Sequence, residues 1–312
     1  MRVLVAGASG VIGRRLVPML IDRGHQVTGM SRSAERPEQL GESGAEPVVC
    51  DVFDAGDLRA QVAAASPEVI VHELTDLPRA LNPRKMAEQL AGNDKIRDEG
   101  TRNLVAAALA AGARRMVAQS IAFAYPPTGE GLKTEDDPLF DDAPWPWSRS
   151  IRALRALDAA VTKTQGLEGV VLRYGFFYGP GSSYDSSGHW AREVRRRRFP
   201  IVGRGDGVFS FIHVDDAASA TVAAVEGGPP GIYNIVDDDP APLREWLPVY
   251  ADAVGAKKPR RVPKWIARIV AGEYGTMLAT ELRGASNARA KAALSWTPRY
   301  PSWRQGFHEA LG

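Results

Sequence analysis

Three glycines at intervals of three residues carry the first recognisable chemistry. Gly7, Gly10 and Gly13 in "GASGVIG" follow the apolar run "RVLVA" (2–6) and open the helical pattern "VIGRRLVPMLIDRG". That order suits the pyrophosphate of a dinucleotide: Gly7 permits the tight turn, Gly10 lets phosphate approach the backbone, and Gly13 lets helix and strand pack closely. Ser9, Val11 and Ile12 belong to the same loop. The helix N-terminus adds free N–H groups and a positive dipole end. The second apolar run ends in "GMSRS", with Ser31 where an NAD site usually carries a carboxylate and Arg32 beside it. Hydroxyl and guanidinium donors suit a ribose 2′-phosphate, which a carboxylate would repel. The expected cofactor is NADP(H) in preference to NAD(H), with Arg14 as a further donor; a solvated loop is the plainer role for Arg32. Asp51, after the third strand, is placed to meet the adenine amino group or to cap the next helix. Val52, Leu74, Arg97 and Tyr174 complete the residues assigned to the cofactor.

Proton chemistry needs side chains at the same end of the later strands. Glu73 follows "VIVH" and is a candidate general base, or a partner for Arg97. Tyr125 and Tyr178 offer phenols, with packing the plainer role for Tyr178. His189 and Trp190 open "HWAREV", where a solvent-facing helix start is the alternative for the histidine. The run "REVRRRRF" (192–199) reads as a solvated helix face. No metal-ligating set is assigned.

Alternating elements must position these groups. Short apolar strands ("RVLVA", "HQVTGM", "EPVVC", "EVIVH", "RRMVAQS", "EGVVLRYG") are separated by helical patterns such as "DLRAQVAAAS", "DEGTRNLVAAALAAG" and "RALRALDAAVTKTQG". Strands apolar throughout and divided by helices imply an α/β fold, a doubly wound parallel sheet covered on both faces. After about residue 175, Gly, Pro and aromatic residues become frequent and elements shorten. The expected division is a Rossmann-type dinucleotide-binding domain of residues 1–175 and 207–227, with a smaller substrate lobe from 176–206 and 228–312. The 312 residues are 44% hydrophobic and 24% charged, ordinary for a globular protein. A net charge of +2 gives no broad attraction to nucleic acid or membrane. The single cysteine, Cys50, cannot form an internal disulfide, and the amino-terminal run is too short for a signal peptide. A cytoplasmic location is expected.

Several segments together ("GASGVIG", "CDVFD", "VIVHELTD", "VVLRYGFFYGPG", "FSFIHVDDAASA", "YNIVDDDP") resemble the extended short-chain dehydrogenase/reductases, the NAD-dependent epimerase/dehydratase family. The resemblance covers nearly the whole chain and implies the two-lobed fold above. Family enzymes use a Ser/Thr and a Tyr-x-x-x-Lys pair, the lysine lowering the tyrosine pKa. By resemblance, Tyr125 matches the family's "VYG" segment, which puts Ile121 at the catalytic hydroxyl position and Ser120 beside it. Counting back from the sixth strand puts Trp147 at the tyrosine and Ile151 at the lysine; a three-residue shift gives Ser150 and Leu154. No Tyr-x-x-x-Lys occurs in the chain, and Arg97 replaces the family's helix asparagine. His72, and His213 with Asp215 and Asp216, match structural positions of the family. Phe176, with Phe177 beside it, stands where relatives acting on nucleotide sugars carry an asparagine, favouring an apolar or aromatic substrate. Trp147 and Trp190 extend that surface.

The resemblance implies a small-molecule enzyme with an atypical site. The first expectation is an NADP(H)-dependent oxidoreductase acting on a largely apolar carbonyl or enone, with Glu73, Ser120 or Tyr125 as non-standard acid–base groups. Alternatives are a non-redox isomerase, cyclase or dehydratase, or an NmrA-like NADP-sensing binding protein. Relatives often form dimers, so a homodimer is a further expectation; no nucleic-acid or membrane partner is expected.

Overall fold

The computed structural model describes residues 1–32, 41, 43–78, 80, 82 and 85–311. Its first half alternates strand and helix: β1 (Arg2–Ala6), α1 (Gly13–Asp22), β2 (Gln26–Ser31), β3 (Glu46–Val49), α2 (Ala55–Ala65) and β4 (Val69–His72). Two short helices, α3 (Met86–Gln89) and α4 (Ala91–Lys95), run into a π-helical turn over Ile96–Gly100, then α5 (Thr101–Ala110) and β5 (Arg115–Ile121). Next come α6 (Trp147–Thr162), β6 (Glu168–Tyr174), β7 (Phe176–Tyr178), α7 (His189–Arg195), β8 (Ile201–Val202), β9 (Val208–Phe209), β10 (Phe211–His213), α8 (Val214–Glu226) and β11 (Gly231–Ile235). The remaining elements are β12 (Ala241–Pro242), α9 (Leu243–Ala253), β13 (Arg261–Val262), α10 (Lys264–Glu281), α11 (Ala288–Ala293) and α12 (Trp303–Leu311).

Seven strands form one sheet in the order β11-β6-β5-β4-β1-β2-β3, every neighbour parallel. Both faces are covered, which explains the unbroken apolar runs. Side chains alternate along β1: Val3 and Val5 join the core under α1 and α8, while Leu4 and Ala6 join the core under α2 and α5. The strand order reverses between β1 and β4, and the crevice outside their carboxyl ends is where such sheets bind ligands.

The smaller lobe has its own aromatic core, with Phe211, Trp246, Tyr250, Trp303 and Phe307 all buried. Its boundary differs from the expected one. Gly231–Ile235, assigned by sequence to the smaller lobe, pairs with β6 and gives that edge of the sheet a seventh strand. Ala290, Leu294 and Trp296 also pack into the main core. Conversely, Phe209 and Phe211 belong to the aromatic core, and the return to the main lobe begins at Ile212. Among the described residues no helix is long and apolar enough to cross a membrane. Among them, too, no group of three or more His, Cys, Asp or Glu side chains could hold a metal ion.

Candidate active site

A cleft of about 390 Å³ opens at the β1/β4 switch point. Gly7, Ser9, Gly10, Ser31, Arg32, Asp51, Val52, Glu73 and Leu74, all singled out in the sequence, line it together with Cys50, Phe53, Thr75 and Ile96. Gly7 has φ +96°, and a Cβ there would sit 2.6 Å from the backbone carbonyl of Glu73. A Cβ on Gly13 would sit 2.3 Å from the carbonyl oxygen of Gly7. Only glycine allows β1, β4 and α1 to converge this closely. No side chain caps the N-terminus of α1; the N–H groups of Arg14 and Arg15 bond back to Gly10 and Ile12, while among the described residues those of Val11, Ile12 and Gly13 take no backbone acceptor and are available to an anion. Val11 and Ile12 form this first turn through their backbone, while their side chains pack toward the main core. These features fit a dinucleotide pyrophosphate. At the end of β2, the Ser31 hydroxyl lies 3.3 Å from that of Ser9, and the half-exposed Arg32 stands 3.7 Å from Asp76. Asp51 turns its carboxylate to the Phe53 N–H, and Asp54 rather than Asp51 caps α2, accepting from Gly56 and Asp57. The Cys50 thiol is pushed up to about 12, chiefly by burial, and is inert at neutral pH.

Glu73 forms the inner wall. It does not pair with Arg97; the Tyr174 hydroxyl reaches its Oε1 at 3.0 Å, and its other oxygen is buried without a partner. Tyr174 lies behind Glu73 rather than in the cleft, 2.6 Å from Thr221, whose hydroxyl donates to the Ala217 carbonyl. The Tyr174 hydroxyl donates to Glu73, which favours the charged carboxylate, but burial outweighs that contact and pushes the Glu73 carboxyl up to about 8, so the protonated form is favoured at neutral pH. An uncharged acid beside the phosphate cradle avoids repelling a pyrophosphate.

The other acid–base candidates are committed elsewhere. Tyr125 is buried; its hydroxyl donates to Asn234 Oδ1 at 2.7 Å and accepts from Arg173 Nη1 at 2.9 Å. It therefore braces the sheet end, and burial raises its pKa further. Ser120 is buried beside Asp158, helping to hold that carboxyl, in a geometry too loose for a regular hydrogen bond. His72 is buried and neutral, its pKa driven down to about 4 by burial and then by the Arg97 charge; Nδ1 accepts from the Leu74 N–H and Nε2 meets Thr101 at 3.0 Å. His213 accepts from the Asp215 N–H and so caps α8, while Asp216 takes the N–H groups of Arg299 and Tyr300. Both histidine sites are structural.

The residues that the two sequence registers offer for the family's tyrosine and lysine, Trp147 with Ile151 or Ser150 with Leu154, all lie on α6 and are buried. Trp147 stacks on Tyr274 at 4.5 Å and packs with Ile121. Phe176 stacks on Phe123 at 4.2 Å, next to the same cluster. Three predicted substrate residues are thus brought together: Ile121, Trp147 and Phe176. Phe177 points to the opposite side of β7 and packs on Tyr174 in the main core. Trp190 packs on Tyr184 and Phe199 inside the smaller lobe, with His189 against it. Arg97 lies beside the cleft without lining it: its neighbour Ile96 faces the cleft, and the Arg97 charge is felt instead at His72, Asp94, Asp158 and Tyr274. Sequence reasoning missed Phe123 and Tyr274. Tyr274 in particular stands 127 positions after Trp147, with no local motif to announce it.

A parallel sheet with a glycine cradle at its switch point defines a Rossmann-type dinucleotide enzyme. The model of the NAD dependent epimerase/dehydratase family matches residues 3–236, and the chain belongs to that family. A 3-diazoavenalumate denitrifying reductase of a Streptomyces species is 47% identical over 98% of this chain and 99% of its own length. A 2-alkyl-3-oxoalkanoate reductase of Stenotrophomonas maltophilia is 28% identical over 83% of this chain and 77% of its own. The crystal structure of a UDP-glucose 4-epimerase from Thermotoga maritima superposes with a TM-score of 0.79, at 21% identity, covering 99% of this chain and 97% of that one. The protein is an enzyme, an oxidoreductase of the short-chain dehydrogenase/reductase type on a scaffold that binds nicotinamide dinucleotides.

Proposed function

We propose that this protein is an NADP(H)-dependent reductase that delivers hydride to a largely apolar, conjugated electrophile without a tyrosine acid. The carrying observation is the state of the proton donors: Tyr125 is bound to Asn234 and Arg173, and α6 offers neither a tyrosine nor a lysine. A bound nicotinamide would supply the hydride. The chain's own part is to orient and exclude water. Backbone N–H groups of α1 hold the pyrophosphate, Ser31 and Arg32 face the adenosine ribose, and Ile121, Trp147, Phe123 and Phe176 offer a dry aromatic surface.

The electrophile that best suits such a site is an arenediazonium ion. Reduction of a carbonyl consumes a hydride and a proton. Reductive loss of dinitrogen from a diazonium consumes a hydride alone: a C–H bond forms, the C–N bond breaks, and N₂ leaves with the bonding pair. The relative at 47% identity is named for a denitrifying reduction of a diazo compound, which supports this choice. A second reading, reduction of a carbonyl or enone, is favoured by Glu73, whose carboxyl near 8 in the cleft wall could supply a proton at neutral pH.

Fluorescence titration with NADPH and NADH comes first, and tighter NADPH binding is expected. NADPH oxidation is then followed without oxygen, with an arenediazonium salt and with panels of enones and ketones, while N₂ is counted by mass spectrometry. One N₂ per NADPH, in wild type and in Glu73→Gln alike, is the expected result. Reduction of enones or ketones only, abolished in Glu73→Gln, would move the assignment to the second reading. No binding of either dinucleotide would overturn both.

A further inference from the structure

Beside the cleft, between α4, the π-helical turn, β5, α6 and α10, lies a buried polar chamber that the steps above leave unused. Arg97 is 8% exposed and, among the described residues, makes no hydrogen bond and no ion pair within 4 Å. Burial lowers its pKa only to about 10, so it is a cation at neutral pH. Two further guanidiniums are already engaged: Arg149 donates to Asp94 Oδ2 at 2.7 Å, and Arg173 to Asp158 Oδ2 at 2.6 Å. Two buried guanidiniums, Arg97 and Arg173, and the part-exposed Arg149 thus face two buried carboxyl groups, and His72 beside them is neutral. Arg97 is the one of the three left without a direct carboxylate partner. Around it, among the described residues, the hydroxyls of Tyr274 and Ser150 and the amide nitrogen of Asn93 are buried with no partner, as is one oxygen each of Asp94 and Asp158. Buried donors rarely go unpaired, because each forfeits the hydrogen bonds it had in water. These bare donors lie beside a cation that Asp94 and Asp158 balance without contact, and together they mark a place where an acceptor could be held. The walls are aromatic, with Trp147 stacked on Tyr274.

We propose that this chamber binds the carboxylate of an aromatic acid, with Arg97 as its ion partner and the Tyr274 hydroxyl as a neutral donor. The planar guanidinium fork matches a carboxylate, and its charge is worth most in a dry site. The π-helical turn is what aims it: the extra residue in that turn lets Ile96 face the cleft while Arg97 faces α6. If the reductase assignment holds, the acid is part of its substrate. The site therefore extends that assignment, but its test does not depend on turnover.

The probes are cinnamate and its neutral isostere cinnamamide, titrated by calorimetry into the protein saturated with NADP⁺. Wild type is expected to bind cinnamate at least about tenfold more tightly than the amide, the range for a hydrogen-bonded charge. Arg97→Met should erase the preference, and Arg97→Lys should keep part of it, retaining the charge without the fork. Should Arg97→Met fail to fold, Tyr274→Phe serves: its hydroxyl has no partner to lose, so the melting temperature should hold while cinnamate weakens by about threefold to tenfold. Cinnamate bound no better than the amide, or not at all, overturns the proposal, as does a preference intact in Arg97→Met. The two assignments separate cleanly. Cinnamate binding that depends on Arg97 in a protein that oxidises no NADPH keeps the site and removes the reductase. Turnover of 4-diazoniobenzoate and its methyl ester at equal kcat/KM, unchanged in Arg97→Met, keeps the reductase and removes the site.

Discussion

The cleft and the chamber are one residue apart, at Ile96 and Arg97, yet they handle charge in opposite ways. Around the glycine loop, and apart from Arg32 and Asp51 at the strand ends, the cleft offers an anion neutral groups: backbone N–H donors, two serine hydroxyls, and a glutamate whose carboxyl is pushed up to about 8. The chamber sets two buried guanidiniums and a part-exposed third against two buried carboxyl groups and leaves Arg97 without a direct partner. The difference reflects where each ligand charge must sit. A pyrophosphate remains partly hydrated at the mouth of a helix, where dipoles suffice. A carboxylate taken into an aromatic enclosure loses its water and needs a full counter-charge.

The largest expected effect tests the neutral half. In Gly13→Val, the new Cβ would fall 2.3 Å from the Gly7 carbonyl oxygen, so α1 must move off β1. NADPH affinity should drop by at least about a hundredfold, or folding should fail, since the obstacle is backbone and cannot rotate away. Retained affinity by fluorescence, with an unchanged melt by circular dichroism, would show that the cradle does not hold the dinucleotide.

Next in size is the response to pH of Glu73. Its folded pKa, about 8, lies above the ordinary 4.5 of an unfolded glutamate. The stability it lends is complete below about 4.5 and is lost as pH rises through 8, because over that range the unfolded carboxyl ionises while the folded one holds its proton. Glu73→Gln lacks that loss. From pH 5 to pH 9 the variant should gain on wild type in urea denaturation, by a few kcal/mol at most, each pKa unit being worth about 1.4 kcal/mol. A constant difference across that range would mean that Glu73 is already ionised and the cleft carries a charge after all.

A smaller effect would make the cleft resemble its neighbour. Ser31→Asp puts a carboxylate at the end of β2, facing the adenosine ribose. NADPH should weaken by about tenfold to a hundredfold while NADH holds or improves. Equal losses for both dinucleotides would show that Ser31 and Arg32 do not read a 2′-phosphate.

The same contrast marks what the chain declared in its sequence. The cleft was legible because its parts are local: the glycines follow β1 directly, and Ser31, Asp51 and Glu73 each end a strand whose apolar run can be counted. The chamber was not, because its members come from α4, the π-helical turn, β5, α6 and α10, and Arg97 alone looks like one more residue of an amphipathic helix. Arg97 enters the cofactor set only by resemblance, as the residue at the family's helix asparagine, and the π-helical turn that directs its side chain leaves no mark in the sequence. Phe177 and Tyr174 were misjudged for a simpler reason, since adjacent strand residues face opposite ways and only one of each pair can reach the ligand. The lobe boundary slipped at Gly231–Ile235 because an edge strand of five residues resembles the short strands around it.

The smallest expected effect separates bracing from catalysis at Tyr125, which ends at the junction of the two regions. Its hydroxyl joins Asn234 to Arg173, and Arg173 in turn holds Asp158. Removing it in Tyr125→Phe leaves Asn234 Oδ1 and Arg173 Nη1 each short of a partner in a buried network, at a cost of about 1–3 kcal/mol. Because Arg173 also fixes a carboxyl of the chamber, cinnamate affinity should soften slightly. NADPH binding should not move, since Tyr125 does not line the cleft. The rate with saturating acceptor should stay within about twofold, because a phenol that gives its proton to an amide oxygen is not offering it to a substrate. A hundredfold fall in kcat with stability intact would reverse this assignment, making Tyr125 the acid and the hydrogen bond to Asn234 a resting contact that substrate displaces.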